Sequence, residues 1–227
     1  MKIVNPEIII DKDQLNESKL ANLEKYGRIC YRSDSEFSTM SSKRFLSNLI
    51  SRKHLSVVEH EKVTVIIITD RGVTHEIVRH RIGSYSQEST RYCNYANDKF
   101  GNEITVIKPL FYKEGTKEFL LWLSCMESIE RTYLDLIKNG STAQEARSVL
   151  PNSLKTTIAV TYNFREWRHF LELRCSSKAH PQMQQIAIPI LLCFKKAFGC
   201  LFDDIDFNRD FDSSNYAEVK IIDDSEI

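Results

Sequence analysis

The densest group of reactive side chains in this sequence lies between Arg79 and Tyr92. It combines three arginines and a histidine with several hydroxyl, carboxylate and carboxamide groups. Arginine binds phosphate through two parallel hydrogen bonds, and Ser, Gln and Glu supply the hydrogen bonds that recognise a sugar or a base. A solvated, salt-bridged surface loop is the other interpretation. Further arginines beside apolar positions favour converging anion sites: Arg147, Arg165, Arg168 and Arg174.

Composition limits how a nucleotide could be held. The 7 glycines among 227 residues never fall close together, so neither GxGxxG nor a Walker loop is present. A nucleotide would therefore be held by side chains. The 31 Lys and Arg residues balance 31 Asp and Glu residues, so no global charge gathers nucleic acid or an anionic membrane.

Metal and thiol chemistry are weaker interpretations of the same region. His75 and His80 are separated by about 140° on a continuous helix, so they cannot share one ion, and the sequence predicts no metal site. Cys175 follows Arg174, whose charge could lower the pKa of the thiol, and Cys93 lies beside the arginine segment. Most cysteines, however, are small buried apolar residues.

The elements that must position these side chains alternate between helices and strands. The apolar spacing predicts one α/β domain over 1–202, with a small central sheet flanked by helices. A kink is expected at Pro189 because proline removes a backbone donor. Helices are predicted over 14–31, 41–52, 73–81, 116–138 (long and amphipathic), 142–149, 166–174 and from Pro181; strands are predicted over 63–69, 104–107 and 154–161.

The ends of the chain and its cysteines bear on order and location. Residues 203–227 hold nine acidic and two basic side chains, which predicts an acidic, loosely ordered surface tail. The start lacks the apolar core of a signal peptide, and the apolar stretch Ile186–Phe194 is shorter than the roughly 20 residues that span a bilayer. The 6 cysteines lack CxxC spacing. These features predict a soluble, cytoplasmic protein.

The arginine segment resembles the signature of the flavin-dependent thymidylate synthases. Arg79-His80-Arg81, seven residues and then Ser89 reproduce the RHR-x7-S pattern of that family. Three more segments resemble family elements in the same order, and together the matches cover roughly residues 1–200. These are His54–His60 (H-x-S-x-x-E-H), Ala146–Pro151 (A-R-x-x-L-P) and Asn163–Arg174 (N-x-R…L-R).

The resemblance implies a homotetramer, with sites shared between subunits, that methylates dUMP to dTMP. The carbon would come from methylenetetrahydrofolate, and FAD reduced by NADPH would supply the hydride. The implied flavin-binding residues are Ser56, Arg79, His80, Arg81, Gln87, Asn163, Arg165 and His169. The implied dUMP-binding residues are Glu76, Arg79, Gln87, Glu88, Ser89, Thr90, Arg91, Arg147 and Arg174. Relatives often carry glutamine where Glu76 stands and asparagine where His169 stands.

The implied catalytic residues are Arg174 and Ser89, and their chemistry suits these roles. Uracil C5 is a poor nucleophile, and ionisation at N3 pushes electron density into the ring. A guanidinium that stays charged stabilises that anion, so Arg174 is expected to activate the base while Ser89 orients it. The alternative is a non-enzymatic nucleotide- or RNA-binding module in which Tyr85, Tyr92 and Tyr95 stack on bases. Zero net charge argues against it.

Overall fold

Helices and strands alternate along the chain, as the apolar spacing predicts. The computed structural model describes residues 1–32 and 39–223. The helices are α1 (Ser18–Tyr31), α2 (Thr39–Ser51), α3 (Arg71–Ile77), α4 (Lys117–Lys138), α5 (Ala143–Ala146), α6 (Phe164–Arg174) and α7 (Pro181–Phe202). The strands are β1 (Lys2–Val4), β2 (Glu7–Asp11), β3 (Lys62–Asp70), β4 (Ser84–Gln87), β5 (Thr105–Ile107), β6 (Lys155–Asn163) and β7 (Glu218–Ile222).

The strands form two small sheets. Five of them pair in the order β4-β6-β3-β2-β7, and β1 pairs with β5 in parallel. Alternate residues of β2, β3 and β6 are buried, the period expected of strands with one face against a core. The expected α/β class, with a small sheet and flanking helices, is confirmed. A division between residues 202 and 203 stays a prediction.

Two compact units can be distinguished along the chain. Unit 1 comprises Met1–Pro6, Ile67–Arg79 and Ser86–Ile158. Its core is built on one face of α4 and includes Tyr95, Ile104, Val106, Met126, Tyr133 and Leu154. The side chain of Thr116 caps α4 by accepting a hydrogen bond from the backbone N–H of Phe119 at 3.4 Å.

Unit 2 comprises Glu7–Ile66, His80–Tyr85 and Ala159–Ile227. Its core is aromatic, because α6 and α7 pack Trp167, Phe170, Phe194 and Phe198 edge to face or tilted against one another. The non-helical residue inside α7 is Phe198, so the kink expected at Pro189 falls elsewhere. The carbonyl of Gln185, which a backbone N–H at position 189 would have bonded, accepts instead from the backbone N–H of Ala217 at 2.9 Å.

The acidic tail is more ordered than its composition predicts. Residues 218–222 form β7, which pairs in parallel with β2 in the register Ile8↔Val219. Lys220 Nζ also lies 2.7 Å from a carboxylate oxygen of Glu7. The expectation of a loosely ordered segment is therefore wrong for the described part of the tail, because backbone pairing does not require apolar side chains.

Among the described residues, α7 is the one helix long and apolar enough to cross a membrane. The helix is longer than the apolar stretch Ile186–Phe194 because it continues on both sides of that stretch. In its most apolar window, 61% is buried inside the protein. That burial is typical of a core helix.

Candidate active site

The arginine segment begins just after α3. Asp70 caps this helix by accepting a hydrogen bond from a first-turn backbone N–H at 2.8 Å, and the helix ends at Ile77. The predicted helix to Arg81 is therefore too long. One physical reason lies at His80, whose carbonyl accepts a hydrogen bond from the Tyr85 hydroxyl and turns the chain toward β4. Arg79 and Arg81 project from non-helical backbone, and both are exposed.

Gly83 permits this turn. A Cβ atom at this position would lie 2.3 Å from the ring of Tyr162, so any larger residue would displace either the ring or the loop. The Tyr162 hydroxyl lies 2.8 Å from the hydroxyl of Tyr85, which is in β4. The chain between His80 and β4 is thus fixed by close contact with an aromatic pair.

In unit 1, the side chains of Gln87 and Glu88 are anchored from several directions. Gln87 Nε2 donates to the hydroxyls of Thr74 at 2.9 Å and Thr156 at 3.2 Å. The two carboxylate oxygens of Glu88 accept separately from the Tyr95 hydroxyl at 3.0 Å and Lys155 Nζ at 3.1 Å. A charged acceptor with two donors is held firmly.

The backbone of Glu88 is fixed as well. Its N–H donates to the carbonyl of Thr157 at 2.9 Å, and its carbonyl accepts from Arg71 Nη1 at 3.3 Å. Residues 87 and 88 therefore form a rigid base for the turn that follows them.

The turn that follows Glu88 carries the cationic side chain of Arg91, and Arg147 lies beside it at Thr90. The carbonyl of Ser89 accepts from the backbone N–H groups of Tyr92 and Cys93, and Thr90 is buried. Arg147 Nη1 lies 3.5 Å from the Thr90 hydroxyl. Arg91 and Arg147 are both exposed, while Glu76 and Ser89 are half-buried. An exposed arginine pair beside fixed hydroxyls is suited to a phosphate group.

In unit 2, the ring of His80 contacts two side chains: Arg174, which the sequence predicted as a site residue, and Glu166, which it did not. Its Nδ1 lies 3.1 Å from Oε1 of Glu166, and its Nε2 accepts a hydrogen bond from Arg174 Nε at 3.1 Å. Burial, with smaller contributions from the charges of Arg174 and His169, lowers the pKa of His80 to about 4. The ring is therefore neutral at physiological pH.

The other predicted flavin-binding residues of unit 2 differ in how accessible their side chains are. The side chain of Asn163 caps α6 by accepting from the backbone N–H of Glu166 at 2.9 Å. Arg165 Nη1 lies 2.5 Å from Glu59 Oε1, and both side chains are about half exposed. Ser56 and His169 are exposed. The structure thus leaves Arg165 and His169 accessible, whereas Asn163 is occupied in the fold.

A possible metal group occurs where the sequence did not predict one. Among the described residues, ligand atoms of His80, Glu166 and His169 lie within 4.8 Å of one another. Both ring nitrogens of His80 already have partners, and the Arg174 guanidinium bonded to Nε2 would repel a cation. The arrangement therefore favours hydrogen bonding over coordination.

The thiols are not activated. Burial raises the pKa of Cys175 far above its usual range, against the expectation that Arg174 could lower it. Burial, aided by the negative charge of Glu88, also raises the pKa of Cys93. Cys175 is buried and Cys93 is half-buried, and both shifts argue against a nucleophilic role.

Sequence reasoning missed the residues that support the site. In the sequence, Lys155 falls in a strand, Glu166 falls in a helix, and Tyr95 is predicted only as a stacking residue. Tertiary contacts alone reveal their supporting roles. Arg168 was grouped with the anion-binding arginines, but it is buried and both of its terminal nitrogens lie 2.7 Å from the Asp204 carboxylate. Arg168 is therefore structural.

The tyrosines do not form the stacking platform that an RNA-binding module would need. Tyr95 is buried with its hydroxyl on Glu88, and Tyr85 is half-buried beside Tyr162. Of the three candidates, Tyr92 alone is largely exposed. This placement weakens the alternative interpretation.

Comparison with known proteins agrees with the signature. The family described as "Thymidylate synthase complementing protein" matches residues 14–198. The flavin-dependent thymidylate synthase of Geobacter sulfurreducens is 34% identical over 184 residues, which is 78% of each chain. Its counterpart from Mycobacteroides abscessus is 33% identical over 82% of this chain and 79% of its own. That of Mycobacterium sp. is 30% identical over 96% of this chain and 92% of its own.

The α/β fold presents exposed arginines beside anchored hydroxyls, the arrangement expected of a class of proteins that bind anions through side chains rather than a glycine loop. Together with these relatives, the match over most of the chain shows that this protein belongs to the flavin-dependent thymidylate synthase family.

Proposed function

We propose that this protein reductively methylates dUMP to dTMP, taking its carbon from methylenetetrahydrofolate and its hydride from FAD reduced by NADPH. The observation that carries the proposal is the turn at 89–91. It presents the exposed cation of Arg91 from a rigid base made by Gln87 and Glu88. Relatives that match most of this chain bear the name of this activity.

The phosphate of dUMP would be bound in unit 1 by Arg91 and Arg147, with the hydroxyl of Thr90 as an additional donor. Arginine forks match the geometry of phosphate oxygens, and a firmly held turn reduces the entropy lost on binding. Glu76 and Arg79 would bind the remainder of the nucleotide. Because Glu88 is occupied by Tyr95 and Lys155, it acts through the turn that it anchors.

The uracil ring needs activation before it can accept a carbon unit. Arg174 would stabilise the negative charge on the ionised base, and Ser89 would orient the ring without forming a covalent bond. No thiol is required, in keeping with the raised pKa values of Cys93 and Cys175.

The donor set of unit 2 suits FAD. The guanidinium groups of Arg81 and Arg165 are exposed, and such cations can hold a diphosphate in the absence of a glycine loop. Arg165 would exchange its partner Glu59 for the cofactor. His169 and Ser56 supply exposed polar groups, while His80 and Asn163 would shape the site from within. When bound, the reduced flavin supplies the hydride.

The proposal includes a cytoplasmic location and a homotetramer whose active sites draw residues from more than one subunit. Its direct test is the visible spectrum of the purified protein. We expect the yellow absorbance of oxidised flavin, bleached by NADPH, and dTMP when dUMP and methylenetetrahydrofolate are added. A colourless protein that takes up no FAD but shifts RNA in a gel would overturn the proposal in favour of a binding module.

A further inference from the structure

Arg174 is linked to a buried carboxyl group through an imidazole ring. Its Nε lies 3.1 Å from Nε2 of His80, and Nδ1 of His80 lies 3.1 Å from Oε1 of Glu166. We call these three side chains the Glu166 relay. Glu166 is on α6, two turns before Arg174, and His80 comes from the loop before β4.

The chemistry of the groups fixes the protons of the relay. A guanidinium nitrogen can only donate, so Nε2 of His80 must accept and carries no proton. The proton of the neutral ring is then on Nδ1, where it is donated to Glu166. The lowered pKa of His80, caused first by burial and then by Arg174 and His169, keeps the ring in this neutral form.

The surroundings hold the ring of His80 in place. His80 and Glu166 are each 6% exposed. The Phe170 ring centroid is 4.9 Å from that of His80, and the His169 ring is 5.6 Å away on another side. The backbone of His80 is held separately, by the Tyr85 hydroxyl. The ring therefore has little freedom to turn away from either partner.

We propose that Glu166 is a positioning residue for Arg174, acting through the neutral ring of His80. The inference rests on the proposed function, in which Arg174 stabilises the ionised uracil. An arginine side chain loses considerable rotamer entropy when it is fixed. Holding its Nε end orients the guanidinium plane before the substrate arrives, and preorganised donors are the ones that stabilise developing charge.

The test is a double-mutant cycle with Glu166→Gln and Arg174→Ala. The isosteric amide removes the negative charge and can present either an oxygen or an N–H to Nδ1 of His80, so the proton is no longer fixed on Nδ1 and the bond from Arg174 to Nε2 is weakened. We expect Glu166→Gln to lower kcat for dTMP formation roughly tenfold or more, with KM for dUMP changed less. In the Arg174→Ala background, the same change should have almost no effect.

Glu172→Gln is the matched control, because it removes a carboxylate from the same helix at an exposed position bonded to Arg168. Its kcat should stay within about twofold of the parent. Equal relative losses from Glu166→Gln with and without Arg174 would overturn the inference, since Glu166 would then act independently of Arg174. An unchanged kcat in Glu166→Gln would overturn it as well.

A second readout does not depend on turnover. In protein labelled with ¹⁵N-histidine, the His80 signal, assigned by its loss in His80→Gln, should show a neutral ring protonated on Nδ1 at pH 7. Arg174→Ala should raise the pKa of His80 from about 4, because a neighbouring positive charge is removed. A proton on Nε2, or a pKa that does not move, would contradict the relay. If the parent makes no dTMP while these signals agree, the proposed function fails and the relay geometry stands.

Discussion

At Glu88, a tyrosine and a lysine hold the two oxygens of one carboxylate. Burial, followed by the charge of Glu88, raises the pKa of Tyr95 far above its usual range, so the hydroxyl stays protonated and donates at any physiological pH. The consequence at the residue scale is that Glu88 stabilises the 89–91 turn, whereas the arginines beside it remain available at the surface. We therefore propose that Glu88 contributes to dUMP binding indirectly, through this turn.

Tyr95→Phe tests this role of Glu88. Removing one hydroxyl leaves a half-buried carboxylate oxygen without its donor, which costs about 1–3 kcal/mol. We expect a looser 89–91 turn and a several-fold higher KM for dUMP, with flavin content unchanged. The control is Tyr112→Phe, which removes a hydroxyl from an exposed residue of the same unit. Equal KM values in both variants would show that Tyr95 does not support the turn.

Arg174→Ala tests the activation of uracil. Loss of one charge-stabilising donor lowers a chemical step by about 10²–10³. We expect dTMP formation to fall by this factor while NADPH still reduces the flavin, as measured by separate assays of the two half-reactions. If both half-reactions fall equally, Arg174 serves flavin binding or folding instead.

At the scale of elements, helices with a clear apolar face were predictable from the sequence. The long helix expected over 116–138 is α4, because Thr116 is a strong capping residue and an unbroken apolar stripe follows. The end of α3 and the strand β7 were not predictable. Each depends on a contact that apolar spacing does not show: the Tyr85 hydroxyl on the His80 carbonyl in the first case, and β2 beside the tail in the second.

The site was predictable to a similar extent. Spacing predicts Arg79 and Ser89 as site residues because the signature is local, and the resemblance adds Arg91; these assignments stay predictions. It could not identify Lys155 or Glu166, whose roles arise from hydrogen bonds to residues 67 and 86 positions away. Residues that touch a ligand leave a local pattern, whereas residues that hold them in place need only be near in space.

Truncation after Ala217 tests the contribution of β7. Its loss removes the parallel pairing with β2 and the ion pair between Lys220 and Glu7. Each backbone hydrogen bond contributes about 1 kcal/mol, so Tm should fall by roughly 5 °C or more in a thermal melt. Truncation after Asp223 keeps β7 whole and is the control against which the fall in Tm is measured. Identical melting of the two truncated proteins would mean that β7 adds no stability.

At the scale of the whole molecule, the residues proposed for dUMP are divided between the two units, and so are those proposed for flavin. Arg91 and Arg147 belong to unit 1, whereas Arg165, His169 and Arg174 belong to unit 2. A homotetramer could assemble a complete site from unit 1 of one subunit and unit 2 of another. In a symmetric oligomer, every such interface then carries the same two contributions, unit 1 from one subunit and unit 2 from the other.

Co-expression of Arg91→Ala and Arg174→Ala chains tests this assembly. Each variant alone should be nearly inactive, whereas random pairing leaves about a quarter of shared sites with both arginines intact. We therefore expect dTMP formation at about a quarter of the parental rate once mixed oligomers are confirmed by mass. Mixed oligomers with no more activity than the single variants would rule out sharing between these two residues.

A single-turnover experiment tests whether reduced flavin is the hydride source for dTMP formation. The purified protein, with its flavin reduced by NADPH and excess NADPH removed, is mixed without oxygen with dUMP and methylenetetrahydrofolate. We expect the flavin absorbance to return and one dTMP to form for each flavin reoxidised, because reduced flavin is the proposed hydride donor. Flavin that stays reduced with no dTMP formed, or dTMP formed without flavin reoxidation, would contradict it.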